Sequence, residues 1–182
     1  FAEALGLKPG EEFPRKQQLL AEELITRKGA THFLEITGGM LTKLNGKGGM
    51  EFEVFEPSEA LAGEEVLSLE EKFLAGQGQN ITPARFAKEG VEYNRIASIV
   101  KSDLERVARI LNVSGYCRID AFVRIFDDGR VETIIIEVNS LPGMTPATVI
   151  FHQAAINLYK PSDVIDKILE FSLEKQRINS AN

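Results

Sequence analysis

Four residues with the chemistry of a site stand at alternating positions in the middle of the chain. Arg118 and Asp120 close the run Gly115-Tyr116-Cys117-Arg118-Ile119-Asp120, and Glu137 and Asn139 lie in Ile136-Glu137-Val138-Asn139. Residues two apart on a strand share a face. The two runs flank Phe126-Asp127-Asp128-Gly129-Arg130, and Asp-Gly between β-branched segments signals a hairpin. With Asp128-Gly129 at the centre of the turn, Asp120 faces Glu137 and Arg118 faces Asn139. A longer turn shifts the pairing by one but keeps both spacings. Directly opposed carboxylates repel each other, a cost that a hard divalent cation removes. Asp, Glu and an Asn carbonyl are oxygen ligands of the kind Mg²⁺ takes, together with phosphates and water. Arg118 beside the cation suits a phosphate or a developing oxyanion. The plainer alternative is a sheet-end ion pair of Arg118 with Asp120 or Glu137. The loop Asn139-Ser140-Leu141-Pro142-Gly143-Met144 favours a site, because it leaves the strand abruptly and its Pro-Gly step allows close backbone approach.

The elements around the hairpin read as α+β. Residues 1–14 carry Gly6, Pro9, Gly10 and Pro14 and form a loose lead-in. Residues 17–27 have helix-forming composition, with a strand through 19–25 as the competing reading. Residues 31–42 form a strand with a Gly38-Gly39 bulge or bend, 50–55 return as a second strand, and 57–65 are acidic loop. Glycines and amides at 76–80 make either a ligand-covering loop or an ordinary polar one. Residues 92–111 are the clearest helix, with an apolar stripe of Ile96, Ile99, Val100, Leu104, Val107, Ile110 and Leu111. Residues 147–157 form a short helix. A last helix starts at Pro161-Ser162-Asp163 with Ser162 as N-cap, buries Val164, Ile165, Ile168, Leu169 and Ser172, and frays from Lys175. The hairpin strands are apolar on both sides, as in a sheet covered on both faces. The fold class is therefore a largely antiparallel sheet flanked by helices.

At 182 residues the chain makes one domain, or one and a fragment of another. A net charge of −6 without a basic run excludes a general nucleic-acid binder. No apolar run approaches the roughly 20 residues needed to cross a bilayer. The start at Phe1, without an initiator Met or signal pattern, reads as a piece that begins mid-protein. One cysteine, Cys117, precludes an internal disulfide and fits a reducing, cytoplasmic setting. Its apolar strand makes it a packed residue rather than a nucleophile. His32 and His152 lack companions at ligand or triad spacing and read as structural or surface residues.

From about Leu67 to the last helix the chain resembles the C-terminal ATP-binding region of D-alanine–D-alanine ligases, of the ATP-grasp superfamily. Gly115, Arg118 and Asp120, then Glu137, Asn139, Pro142, Gly143, Met144 and Thr145, reproduce that family's Gly-x-x-Arg-x-Asp and Glu-x-Asn-x-x-Pro-Gly-Met-Thr. Glu70-Glu71-Lys72-Phe73 and Thr82-Pro83-Ala84 resemble two shorter segments of it. The resemblance implies an ATP-grasp C-terminal subdomain over 46–182, with 1–45 a remnant of the central subdomain or a lead-in. It implies an ATP-dependent ligase of cell-wall precursor synthesis that forms an amide through an acyl phosphate. ATP and Mg²⁺ would be required, with Mn²⁺ as a substitute. Asp120, Glu137 and Asn139 would hold the metal, and Arg118 and the Gly143 N–H would stabilise the oxyanion. Lys72 would touch ATP phosphate. Glu22, Glu23 and Ile25 would lie on the hinge that receives adenine, in which case 19–25 is a strand. Met144 and Thr148 would face substrate, D-alanine or a similar amino acid. Phe73 stands where many such ligases carry Tyr, which leaves a hydroxyl acceptor open. The family's N-terminal domain and most of its central domain have no counterpart here. They are the implied partners, a homodimer being open besides, and the chain alone is expected not to turn over. The alternatives are another ATP-grasp carboxylate–amine ligase and a non-catalytic nucleotide- or partner-binding module.

Overall fold

A computed structural model describes residues 21–46, 49–61, 80–145 and 148–181. Six antiparallel strands form one sheet: β1 (His32–Leu44), β2 (Met50–Val54), β3 (Ser58–Ala60), β4 (Asn80–Ile81), β5 (Tyr116–Ile125) and β6 (Val131–Asn139). Their order is β4-β3-β1-β5-β6, with β2 also pairing with β1. Three helices complete the described fold: α1 (Val91–Ile110), α2 (Val149–Ile156) and α3 (Pro161–Ala181).

Side-chain alternation on β5 divides the two faces. Cys117, Ile119, Ala121, Val123 and Ile125 pack with Ile96, Val100 and Leu104 of α1 in one buried cluster. Leu104 and Val100 are fully buried, each such side chain contributing about 1.5–3 kcal/mol. On the other face Tyr116 joins a second cluster with Leu41, Phe55 and, from α2 and α3, Ile150, Phe151, Ala154, Val164 and Ile168. The same face then opens along Arg118, Asp120 and Phe122, next in register, and closes at the buried Arg124. This opening is where a site can sit.

Of the expected Gly38-Gly39 bulge or bend, no bulge occurs on the β5 edge, where β1 pairs in unbroken register from His32 to Leu41. The glycines serve close approach instead. A Cβ on Gly38 would lie 2.4 Å from Leu104 Cδ1, and one on Gly39 would lie 2.5 Å from Gln153 Oε1 and 2.9 Å from Ile150 Cγ1. On its other edge β1 pairs with β3 at 35–37 and with β2 at 40–44, leaving a gap between. The fully buried Gln153 of α2 fills it. Its Oε1 accepts from Gly39 N–H at 2.8 Å, and its Nε2 donates to Thr37 C=O at 2.7 Å and Ser58 Oγ at 3.0 Å. A side-chain amide thus substitutes for a missing strand residue, and it satisfies backbone groups whose desolvation costs about 1–3 kcal/mol each.

The hairpin carries two registers. From Ile125↔Val131 to Ala121↔Ile135 it follows a three-residue turn in which Phe126 N–H donates to Arg130 C=O and Gly129 has φ +82°. This is the longer turn with a left-handed glycine, not the two-residue one. It places Glu132 opposite Arg124, to which it is ion-paired at 3.3 Å. The two-residue turn would set Glu132 opposite the buried Ile125. Between Ala121 and Asp120 the register shifts by one, leaving Ile136 unpaired. This β-bulge restores the expected Asp120↔Glu137 and Arg118↔Asn139 pairs.

Other expectations change as well. Residues 21–27 are neither helix nor strand, and the rest of that segment lies outside the described residues, as do Lys72 and the 62–79 stretch. Ile110 and Leu111, placed on the α1 stripe, are 71% and 56% exposed; the buried face ends at Ala108. β3 interrupts the acidic loop. β6 ends the sheet, with Ile136 exposed, so the hairpin is not covered on both faces. α3 takes Pro161 as its first residue, and Asp163 Oδ2 accepts from Lys160 N–H at 2.7 Å, so the capping group is the Asp163 carboxylate rather than Ser162. α3 buries Val164 and Phe171 while Ile165, Leu169 and Ser172 are exposed, and it continues to Ala181 without fraying at Lys175.

Candidate active site on the open face of the sheet

Arg118 holds Asp120 with both ends of its guanidinium fork. Nε donates to Oδ1 at 3.0 Å and Nη2 to Oδ2 at 2.9 Å, while Nη2 stands 3.8 Å from Glu137 Oε1. Asn139 Nδ2 donates to Asp120 Oδ2 at 3.3 Å and to Glu137 Oε1 at 3.1 Å. The four residues therefore form one cluster, and the ion pair named as the plainer alternative is part of it. The Asp120 side chain is only 14% exposed. Burial pushes its carboxyl above the usual range; the Thr37 hydroxyl and Arg118 pull it back and Glu137 pushes it further up.

Thr37 faces Asp120 across β1 and β5, is 8% exposed, and turns its hydroxyl toward that carboxylate. A buried carboxyl pushed up by burial and by a second carboxylate beside it is what a cation would relieve. The donors are all oxygen, as Mg²⁺ prefers. Among the described residues no group of three or more Asp, Glu, His or Cys could hold a metal ion, so two carboxylates and an amide would leave the remaining positions to phosphate oxygens and water, the usual Mg²⁺ pattern. The residues fit the ion, provided the Arg118 fork turns from Asp120 to an incoming anion and the Asn139 amide turns its oxygen, rather than its NH₂, toward the carboxylates.

The loop after β6 brings Gly143 beside Thr148, where a Cβ on the glycine would lie 3.9 Å from the threonine Oγ1. Thr148 is the N-cap residue of α2, and its hydroxyl lies 3.0 Å from that of Thr145. Met144 packs against the Leu41–Phe55–Ile150 cluster, so its side chain is part of the core there. Glu22 is exposed, Ile25 half-buried, and Glu23 pairs with Lys28 at 2.7 Å, which lowers its carboxyl. The segment that carries them is tied to the sheet where Arg124 Nε donates to Thr26 C=O at 2.7 Å. Arg124 stands four residues beyond Asp120, about 13 Å along the strand.

Composition missed a row of residues between these points. Phe33 and Phe122 stack at 5.1 Å, the buried Arg124 lies 6.0 Å over Phe33, and its Nη2 has no partner. The alternation Arg118, Asp120, Phe122, Arg124 would have found half of this row. Thr37 and Phe33, contributed by β1, carry no such signal.

Comparison with known proteins decides the family. A model of the D-ala D-ala ligase C-terminus matches residues 22–170. The chain belongs to the D-alanine–D-alanine ligase family. Within it, the D-alanine–D-alanine ligase of Caldicellulosiruptor bescii is 30% identical over 130 residues, covering 71% of this chain and 33% of that protein. The ligase of Leptospira biflexa is 32% identical over 139 residues, covering 76% and 36%. This ligase-family chain thus spans about a third of the length of the curated relatives it matches. Solved structures share its fold. The D-alanine–D-alanine ligase of Coxiella burnetii superposes with a TM-score of 0.57 at 13% identity, over 81% of this chain and 34% of that one. The Bacillus anthracis ligase complexed with ATP gives 0.51 at 19%, over 79% and 38%. The expected α+β architecture, an antiparallel sheet with helices, is that of the family's C-terminal domain. No helix among the described residues is long and apolar enough to cross a membrane.

Proposed function

We propose that this chain is the ATP- and Mg²⁺-binding C-terminal part of a cytoplasmic D-alanine–D-alanine ligase-like enzyme of peptidoglycan precursor synthesis. The observation that carries the reading is the Asp120–Glu137 pair, opposed on one face beside Arg118 and the buried Thr37 hydroxyl. In the proposed reaction a carboxylate oxygen of a first D-alanine attacks the γ-phosphorus of ATP, and ADP leaves. The amine of the second attacks the resulting acyl phosphate, loses a proton and expels phosphate, leaving an amide. Mg²⁺, or Mn²⁺ in its place, supplies charge neutralisation of the phosphates. Asp120, Glu137 and Asn139 hold it. Arg118 turns its fork from Asp120 onto the transferring phosphoryl group or the tetrahedral oxyanion, with the Gly143 N–H as second donor. Thr148, at the start of α2, offers its hydroxyl to the second substrate's carboxylate beside Met144. The 13 Å or so between Asp120 and Arg124 leaves room for a nucleotide to lie along β5, with its base toward Glu22, Glu23 and Ile25. Lys72 is assigned to phosphate.

The N-terminal and central domains of the family's full-length members are the partners this reading requires. Positioning is most of the catalysis in phosphoryl transfer, so the 182-residue chain binds nucleotide and does not turn over. The test is Mn²⁺ and ATP-analogue binding to the chain, with a phosphate-release assay alongside. Glu137→Gln is expected to weaken Mn²⁺ binding at least tenfold. Unchanged affinity would remove the metal assignment, and phosphate release from the chain with D-alanine would remove the claim of inactivity. A different amino-acid or hydroxyl acceptor would leave the metal result intact and appear only in the substrate profile of the whole enzyme.

A further inference from the structure

A second concavity lies past the Arg118–Asn139 end of the hairpin. A groove of about 670 Å³ is bounded by the entry to β5 (Ser114, Tyr116), the residues just after β6 (Ser140, Leu141) and one face of α3 from Ile168 to Ser180. None of Arg118, Asp120, Glu137 or Asn139 lines it. Its size is that of a small-molecule site. Half of its lining residues come from 171–180, beyond the 22–170 stretch that the family model matches. The groove thus joins residues of the matched stretch to a run of helix beyond it.

Its chemistry is one-sided. In a chain of net charge −6, the lining contains no carboxylate. The rim is hydroxyl and amide: Ser114, Ser140, Ser172, Ser180, Gln176 and Asn179. The single charge is Lys175, which has no carboxylate partner among the described residues. Its Nζ donates to Ser114 Oγ at 2.6 Å and stands 5.9 Å over the Phe171 ring, leaving further N–H donors to spare. The walls are apolar at Tyr116, Ile168, Phe171 and Leu141, the last 80% exposed.

We propose that this groove binds a small organic anion that carries one carboxylate on an apolar body. The carboxylate is seated on Lys175 and the neighbouring hydroxyls, and the body lies along Phe171, Ile168 and Leu141. A cationic ligand is disfavoured by Lys175, and a purely polar one would leave the aromatic and aliphatic walls exposed to water.

The probe is octanoate, titrated into the ¹⁵N-labelled 182-residue chain, with octan-1-ol and acetate as controls. The expected result is saturable shifts confined to residues 114–116, 140–141 and 168–180, with a dissociation constant on the order of 1 mM or below. Octan-1-ol should bind roughly tenfold more weakly, and acetate should not saturate. Lys175→Met keeps the apolar stem and should weaken octanoate about tenfold while leaving octan-1-ol unchanged. Ser172→Trp, at an exposed position of the groove wall, should block both probes without altering the melting temperature. Shifts scattered over the surface, equal binding of octanoate and octan-1-ol, or an unaffected Lys175→Met variant would each overturn the proposal. None of these readouts involves nucleotide or metal, so the ligase reading stands or falls separately.

Discussion

The Gln153 amide inserted between β2 and β3 can be tested by a double-mutant cycle with Gly39. Gln153→Ala removes an acceptor from Gly39 N–H and a donor from Thr37 C=O and Ser58 Oγ, all within 3.0 Å in a fully buried setting. Two backbone groups left without partners at about 1–3 kcal/mol each, partly offset by no longer burying the amide itself, give an expected loss of about 2–5 kcal/mol. Gly39→Ala places a methyl 2.5 Å from Gln153 Oε1 and 2.9 Å from Ile150 Cγ1. Both atoms sit in a packed core, so the cost is about 1–3 kcal/mol from crowding, plus whatever hydrogen bonding the displaced amide gives up. The two changes act on one contact, so the double variant should be less destabilised than the sum by about 1–2 kcal/mol. Chemical denaturation of the four proteins measures this. Additivity within about 0.5 kcal/mol would refute the reasoning, because it would mean that the methyl and the amide do not compete for the same space. A Gly39→Ala variant as stable as the parent would refute the geometry outright.

Burial raises the Asp120 carboxyl in the folded chain, so its charged form opposes folding. That penalty is absent below the unfolded value of 3.8 and grows as pH rises through the folded one. Asp120→Asn should therefore stabilise the metal-free chain at neutral pH, show no gain near pH 3, and abolish Mn²⁺ binding, as thermal melts across pH and a Mn²⁺ titration would show. Leu158 is 90% exposed at φ +63° just past α2, where glycine is the favoured residue; Leu158→Gly should raise stability by about 0.5–1 kcal/mol in a urea titration. Deleting one isoleucine from 134–136 removes the bulge residue and keeps Glu137 opposite Asp120, so Mn²⁺ affinity should hold. Inserting a fourth shifts Glu137 out of register with Asp120 and should cut that affinity at least tenfold.

The Asp120–Glu137 pairing was legible because charged residues alternate with β-branched ones on both strands and a glycine turn lies between them. The path to it was not. Choosing between turn lengths meant asking which face Glu132 could occupy, and a three-residue turn plus a bulge gives the same pairs at the site as a two-residue turn alone. Thr37 escaped because its relevance depends on β1 lying beside β5, a contact that local pattern does not encode. Gln153 read as an ordinary residue of a short helix. Nothing local signals that an amide there completes a ladder, since the gap exists only once β2 and β3 have paired with β1. Hydrophobic periodicity found α1 and α3 but overran their buried faces: Leu111 and Leu169 continue the pattern where no partner element remains to cover them. The capping group on α3 was misplaced by one residue because Ser and Asp are both good caps and adjacent.

The bulge at Ile136 gives the hairpin a property that neither strand has alone. On its turn side the phase of β6 is set by Arg124 and Glu132; on its other side by Arg118, Asp120, Glu137 and Asn139. One unpaired residue separates the two, so the site is insulated from the tip of the hairpin. A one-residue change in turn length can be absorbed by gaining or losing the bulge, with Glu137 still facing Asp120. For a fixed number of residues between Asp120 and Glu137, only the parity of the combined turn and bulge is constrained.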